Sequence, residues 1–144
     1  MSVEIRHLEA GDEKVLDRVD PGVFDHAIDP ALVVEFLGDP RHHLVVAVEA
    51  GTVVGFASGV HCVHPDKPSE LWINEVGVAP SHQRQGLGKR LLQALFERSR
   101  ALGCREAWVL TSPANGPAVR LYESVGGIDM ADPPVMFTFR LTEP

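Results

Sequence analysis

Glu75 interrupts an apolar, β-branched run, Leu71-Trp72-Ile73-Asn74-Glu75-Val76-Gly77-Val78-Ala79, that otherwise reads as a buried strand. In phase with Leu71 and Ile73, its carboxylate is expected on a largely desolvated face, where burial raises the pKa and makes a better proton acceptor near neutrality. A salt-bridged structural carboxylate is the competing reading. Gly77, two residues on, marks a bulge or a close approach by another backbone or a ligand. After Pro80 and Ser81 comes Gln83-Arg84-Gln85-Gly86-Leu87-Gly88-Lys89, leading into an amphipathic helical pattern. The first amides of such a helix lack carbonyl partners and carry partial positive charge, and two glycines would let the backbone approach closely. The loop is therefore expected to cradle a phosphate-bearing cofactor. Its spacing matches neither Gly-x-x-x-x-Gly-Lys-Ser/Thr nor Gly-x-Gly-x-x-Gly. Tyr122, the only tyrosine in the chain, offers a phenolic proton; a core-filling tyrosine is the alternative.

These groups need a strand, a turn and two helices to bring them together. The helix after the loop is predicted over Leu87 to Leu102, with Leu87, Leu91, Leu95 and Leu102 on one face and Gly103 as its C-cap. Arg105 to Thr111 reads as a strand, and strand, helix and strand in this order make the two strands parallel neighbours. Ser112 to Pro117 then leads to a helix through Ala118, Val119, Leu121, Tyr122 and Val125, stopped by Gly126-Gly127. Upstream, Val3 to Leu8 reads as a short strand and Gly11 to Val19 as a helix. A second helix starts at Asp29-Pro30, with Leu32, Val33, Phe36 and Leu37 as its buried stripe. Leu44 to Val48 and Thr52 to Val60 form a hairpin around Gly51. Val135 to Leu141 reads as a final strand after an acidic turn. The fold class is α/β with a mixed sheet, antiparallel first and parallel around the motif.

At 144 residues the chain fits one domain, with 44% hydrophobic and 23% charged residues typical of a globule. No apolar run approaches a membrane span and the N-terminus lacks a signal peptide's core, so a cytoplasmic location without membrane attachment is expected. A net charge of −7 disfavours nucleic acid and favours a cationic partner. Cys62 and Cys104 suit small buried residues rather than a disulfide framework. His61 and His64 lack a third ligand, which argues against a metal site. Oligomeric state is left open, a homodimer included.

Gln83-x-x-Gly86-x-Gly88 resembles the pyrophosphate motif of the GCN5-related N-acetyltransferase (GNAT) superfamily. The order Glu-Val-Gly-Val, the glycine motif, Asn115 and Ala118-Val119-Arg120-Leu121-Tyr122-Glu123 extends that likeness over Leu71 to Gly127. The resemblance implies a mixed, mostly antiparallel sheet with a central parallel strand pair flanked by helices, and acetyl-coenzyme A as cofactor. It places Val76, Gly77, Val78, Gln83 to Lys89 (Arg84, Gln85, Gly86, Leu87 and Gly88 between them), Asn115 and Tyr122 against the cofactor, with Tyr122 as general acid. Gly127 departs from the pattern, since an aromatic residue commonly follows the helix-ending glycine. With an acyl thioester, an amine must lose a proton, the oxyanion needs a donor, and the departing thiolate needs a proton. Glu75, the Val76 amide and Tyr122 are the candidates for these three tasks. No Gly-x-Ser-x-Gly setting is present, so direct transfer in a ternary complex is expected. Val23-Phe24-Asp25, Thr52 to Gly55, the Pro65 to Glu70 loop and Leu71 to Glu75 are similar to the aminoglycoside 3-N-acetyltransferases. That likeness implies a cationic small-molecule acceptor met by the acidic Glu75; Asp25, Glu70, Asp129 and Asp132 are further candidate contacts, with a solubilising loop residue as the competing reading of each. A peptide N-acetyltransferase and a non-catalytic acyl-coenzyme A-binding module are the alternatives.

Overall fold

The computed structural model describes residues 2–143. Strands β1 (Glu4–Leu8), β2 (His42–Glu49), β3 (Thr52–Cys62), β4 (Glu70–Val78) and β5 (Glu106–Trp108) form one sheet in the order β1-β2-β3-β4-β5. The first three pairings are antiparallel and β4–β5 is parallel. Helices α1 (Pro30–Gly38), α2 (Leu87–Ala101) and α3 (Gly116–Ser124) complete the α/β architecture.

Local chemistry sets these limits. The Asp29 carboxylate accepts from the Ala31 amide at 2.9 Å and Pro30 opens α1, so the Asp-Pro start is realised as a capped helix. The hairpin turns on Ala50 (φ 50°) and Gly51 (φ 79°), two successive left-handed residues whose twist matches that of the flanking strands. Gly103 follows the α2 C-cap at φ 86°, and the Cys104 amide returns to the Ser99 carbonyl at 3.0 Å. The most deeply buried side chains include Leu91, Leu92 and Leu95 of α2 and Val45, Val53 and Leu71 of the sheet, which belong to one core. Leu102, beyond the last helical turn, is exposed.

Three expected elements differ. Gly11 to Val19 forms only a 3-10 turn, Glu13–Asp17, because a single side chain, Leu16, is buried there and cannot hold a longer helix. The strand expected over Arg105 to Thr111 is confined to Glu106–Trp108. Val135 to Leu141 forms no strand: Pro133 and Pro134 precede it, the short β5 edge gives it no ladder, and Val135, Phe137, Phe139 and Leu141 are exposed. The parallel pair consequently lies at one side of this sheet rather than at its centre. Cys62 and Cys104 are free and half-buried. Among the described residues, no helix is long and apolar enough to cross a membrane.

On the α2 side of the sheet a row of imidazoles crosses three strands. His43, 2% exposed, places Nε2 2.8 Å from Nδ1 of His61, and its ring centroid lies 6.2 Å from that of His7. Burial first, then the neighbouring His61, His7, Arg98 and His42, push the His43 pKa down to about 4. The folded value lies below the ordinary 6.5, so the unfolded chain takes up the proton first. Stability from this group is complete above pH 6.5 and is lost as pH falls toward 4. Thermal unfolding followed across that window is expected to show a falling Tm, and His43→Gln is expected to flatten the dependence.

Candidate active site

The break in β4 is a β-bulge. Gly59 pairs with Ile73 and Ser58 with Glu75, leaving Asn74 unopposed. The extra residue reverses the alternation, so Glu75 shares a face with Ser58 and Phe56, opposite to Leu71 and Ile73. This corrects the expected phase and the expected burial: Glu75 is exposed, not desolvated. The site residue is the same; its surroundings are different. Gly77 is not the bulge but the close approach. A Cβ there would clash with the Val23 carbonyl oxygen and lie 2.8 Å from the Phe56 ring, so only glycine lets the residue 21–24 loop seat against β4.

Beyond Trp72, β4 has no strand on its β5 side among the described residues, because β5 pairs only with Glu70, Leu71 and Trp72. The Ala79 amide donates to Val54 of β3 at 2.8 Å. Amide direction alternates along a strand, so the N–H groups of Val78 and Val76 point to the open side. An extended ligand can pair with this edge, and the Val76 amide is free to donate to an oxygen placed there.

The loop after β4 is pinned at its middle, by His82 and Gln83. His82 is held by Glu49 at 3.2 Å and by the Ser81 hydroxyl at 2.8 Å. The Gln83 side-chain amide donates to the Val78 carbonyl at 3.1 Å, joining the motif's first residue to the strand end. Arg84 (φ 62°) and Gly86 (φ 76°) turn the chain through left-handed conformations into α2. Among the described residues no side chain caps α2, and open space surrounds the Cβ direction of Gly86, so the amides of Leu87, Gly88 and Lys89 start the helix unpaired with any cap. With Arg84 and Lys89 beside them, these donors fit a pyrophosphate. Gly88 serves a second purpose: a side chain there would meet Leu121 of α3 at 3.1 Å, so this glycine lets α3 pack on the first turn of α2.

Asn115 caps α3, its Oδ1 accepting from the Ala118 amide at 3.2 Å. Tyr122 follows two turns later, packed against the core and half-buried. Burial pushes its phenol pKa above the ordinary 10, so the hydroxyl keeps its proton at neutral pH.

On the Glu75 side, a cavity of about 440 Å³ is lined by Phe24, Ile28, Leu32, Phe36, Phe56 and Ser58 together with Glu75, Asp25, His26 and Asp29. It joins two of the expected acidic residues, Asp25 and Glu75. Glu70 lies at the start of β4, accepting from the Trp108 indole at 3.2 Å and facing Lys67 at 3.6 Å and His64 at 3.9 Å. Asp129 and Asp132 lie exposed in the irregular segment after α3 and are absent from this cavity's lining, since the final strand that would have anchored them does not form. The aromatic lining from Phe24, Phe36 and Phe56 was not anticipated as site. Phe56 could have been found from its strand phase once the bulge was known.

Residues 9–127 match the Acetyltransferase (GNAT) family. The chain belongs to the GNAT acetyltransferase family. Acetyl-coenzyme A is the cofactor of GNAT enzymes, and the open β4 edge and uncapped α2 amides are the donors that suit it. Among relatives of this GNAT chain, N-alpha-acetyltransferase RimI of Mycobacterium tuberculosis is 36% identical over 104 residues, covering 72% of the chain and 63% of the relative. Mycothiol acetyltransferase of Thermomonospora curvata is 36% identical over 134 residues, covering 86% of the chain and 43% of the relative. The chain thus spans less than two thirds of either curated relative. Its fold is similar to that of the aminoglycoside acetyltransferase meta-AAC0020 from an uncultured soil metagenomic sample, with a TM-score of 0.83, 20% identity and 97% of both chains covered. Aminoglycoside N-acetyltransferase AAC(6')-Iy in complex with CoA gives a TM-score of 0.76 at 22% identity, covering 98% of this chain and 96% of that one. Identities this low establish the shared fold.

Proposed function

We propose that this GNAT chain acetylates a primary amine of a cationic small molecule, an aminoglycoside at its 3-amino group being the first candidate, by direct transfer. The observation that carries the reading is the placement of Glu75 and Asp25 on one cavity at the break of β4. When bound, acetyl-coenzyme A supplies the activated acetyl group. Glu75 takes the proton of the incoming ammonium, directly or through water. The Val76 amide donates to the oxygen that gains charge, and the Tyr122 hydroxyl holds the proton for the leaving group. Asp25 draws a cationic acceptor toward Glu75 by charge.

The 3-amino assignment rests on the sequence likeness through Val23-Phe24-Asp25 and Leu71 to Glu75; AAC(6')-Iy, among the similar folds, carries a 6' designation. A second reading, acetylation of a peptide α-amine, is favoured by the relation to RimI and by the apolar lining of the cavity, which suits a side chain. Release of free coenzyme A, followed with a thiol-reactive dye, separates them across aminoglycosides, polyamines and peptides. Turnover with aminoglycosides is expected. Turnover with peptides alone would move the function to the second reading, and tight acetyl-coenzyme A binding without any turnover would leave a binding module.

A further inference from the structure

Trp72 and Trp108 stack across the β4–β5 pair with ring centroids 5.1 Å apart and planes at 10°, yet 38% and 39% of their surfaces are exposed. A pair serving only to close the sheet would gain by being covered, because indoles contribute most when buried. Their position relative to Glu75 follows from register. Trp72 pairs with Val60 and Glu75 with Ser58, and Val60 and Ser58 are two residues apart on β3. Residues two apart share a face, so Trp72 and Glu75 do too. Without the unopposed Asn74, three residues of separation would have placed them on opposite faces. At roughly 3.3 Å per residue, their attachment points lie about 7 Å apart along the sheet. That is about one ring beyond a nitrogen held at Glu75. Beside the indoles, Glu70 accepts from Trp108 Nε1 and adds a carboxylate, shared with Lys67 and His64.

We propose that the stacked indoles of Trp72 and Trp108 form an acceptor subsite, taking the ring or cationic group that lies one ring away from the reacting amine. The inference rests on the acetyl-transfer reading and extends it to the part of the acceptor that does not react. A flat aromatic face binds the C–H face of a saturated ring, an aromatic ring or an ammonium group, so it selects amines with a second such unit over simple alkylamines. The β4 bulge is what brings this shelf and the proton acceptor to one side of the sheet.

The chain's only tryptophans are these two, so its indole emission reports the shelf directly. The intact protein, saturated with coenzyme A, is titrated with kanamycin, phenethylamine and methylamine while that emission is followed. Saturable quenching by kanamycin or phenethylamine and none by methylamine is expected. In steady-state kinetics Trp72→Ala is expected to raise KM for the responding amine about tenfold, with kcat and the KM for acetyl-coenzyme A within about twofold of the parent, and Trp72→Phe to restore most of the loss. Turnover without a change in emission would overturn the shelf and leave acetyl transfer standing. So would a Trp72→Ala KM equal to that of the parent. Selective quenching in a protein that acetylates no amine would support the shelf and overturn the transfer reading. Emission that changes with protein concentration alone, and not with amine, would give the surface to a second copy of the chain and overturn the assignment. The titration uses the unaltered protein, so it decides the matter even if Trp72→Ala does not fold.

Discussion

Tyr122→Phe is expected to lower kcat by roughly 10²- to 10³-fold, the range a positioned proton donor contributes, with KM for acetyl-coenzyme A and Tm close to those of the parent. The argument combines placement and protonation. Tyr122 lies on α3, the helix that packs through Leu121 onto Gly88 in the first turn of α2, so the phenol belongs to the same cluster as the anion-binding loop. Its half-buried ring packs against the core, and Phe reproduces that packing. Among the described residues the Tyr122 hydroxyl makes no hydrogen bond, so its removal orphans no partner and costs little stability. Burial raises the phenol pKa above 10, which keeps the proton in place through the neutral range. The required form is the protonated one, so the loss of activity through Tyr122 ionisation has its midpoint above the ordinary tyrosine value. A basic limb lying lower in the kcat profile, and unchanged in Tyr122→Phe, belongs to another group. A kcat that survives the substitution within threefold would make Tyr122 a packing residue.

Most of this cluster was legible because its signals are local. Asp29-Pro30 announces a capped helix, Gly103 ends α2, and Gln83-x-x-Gly86-x-Gly88 between an apolar run and a leucine stripe specifies a loop opening a helix. Each depends on backbone rules within a few residues. The bulge at Asn74 was not legible, because period-2 phasing assumes an uninterrupted ladder and the extra residue is defined only by its pairing with β3. From that one residue follow the exposure of Glu75, its neighbours Phe56 and Ser58, and its shared face with Trp72. The purpose of Gly77 and Gly88 was half legible: both permit close approach, but the groups approaching, the Val23 carbonyl and Leu121, come from distant parts of the chain. Val135 to Leu141 shows the opposite failure. Its composition suits a strand, yet a strand exists only where an edge is available, and β5 ends at Trp108.

Glu75→Gln is expected to lower kcat about 10²-fold near neutral pH while leaving acetyl-coenzyme A affinity within about twofold, as measured by calorimetric titration. Gln keeps the side chain's length and its place beside Ser58 and Phe56 but cannot accept the proton of an ammonium. The proposed coenzyme site draws instead on the β4 backbone, the α2 amides, Arg84 and Lys89, none of which uses the Glu75 side chain. Affinity and turnover should therefore separate. Exposure of Glu75 makes stability an independent check, since no described hydrogen bond or ion pair depends on its carboxylate and Tm should move by no more than about 2 °C. The acceptor KM should rise as well, because the same change removes one of the charges on the cavity proposed to receive a cation, leaving Asp25 and Asp29. A rise in acceptor KM with kcat intact would restrict Glu75 to charge attraction. Equal loss of turnover and acetyl-coenzyme A binding would instead mean that the carboxylate shapes the bulge, and that the proton leaves the amine by water alone.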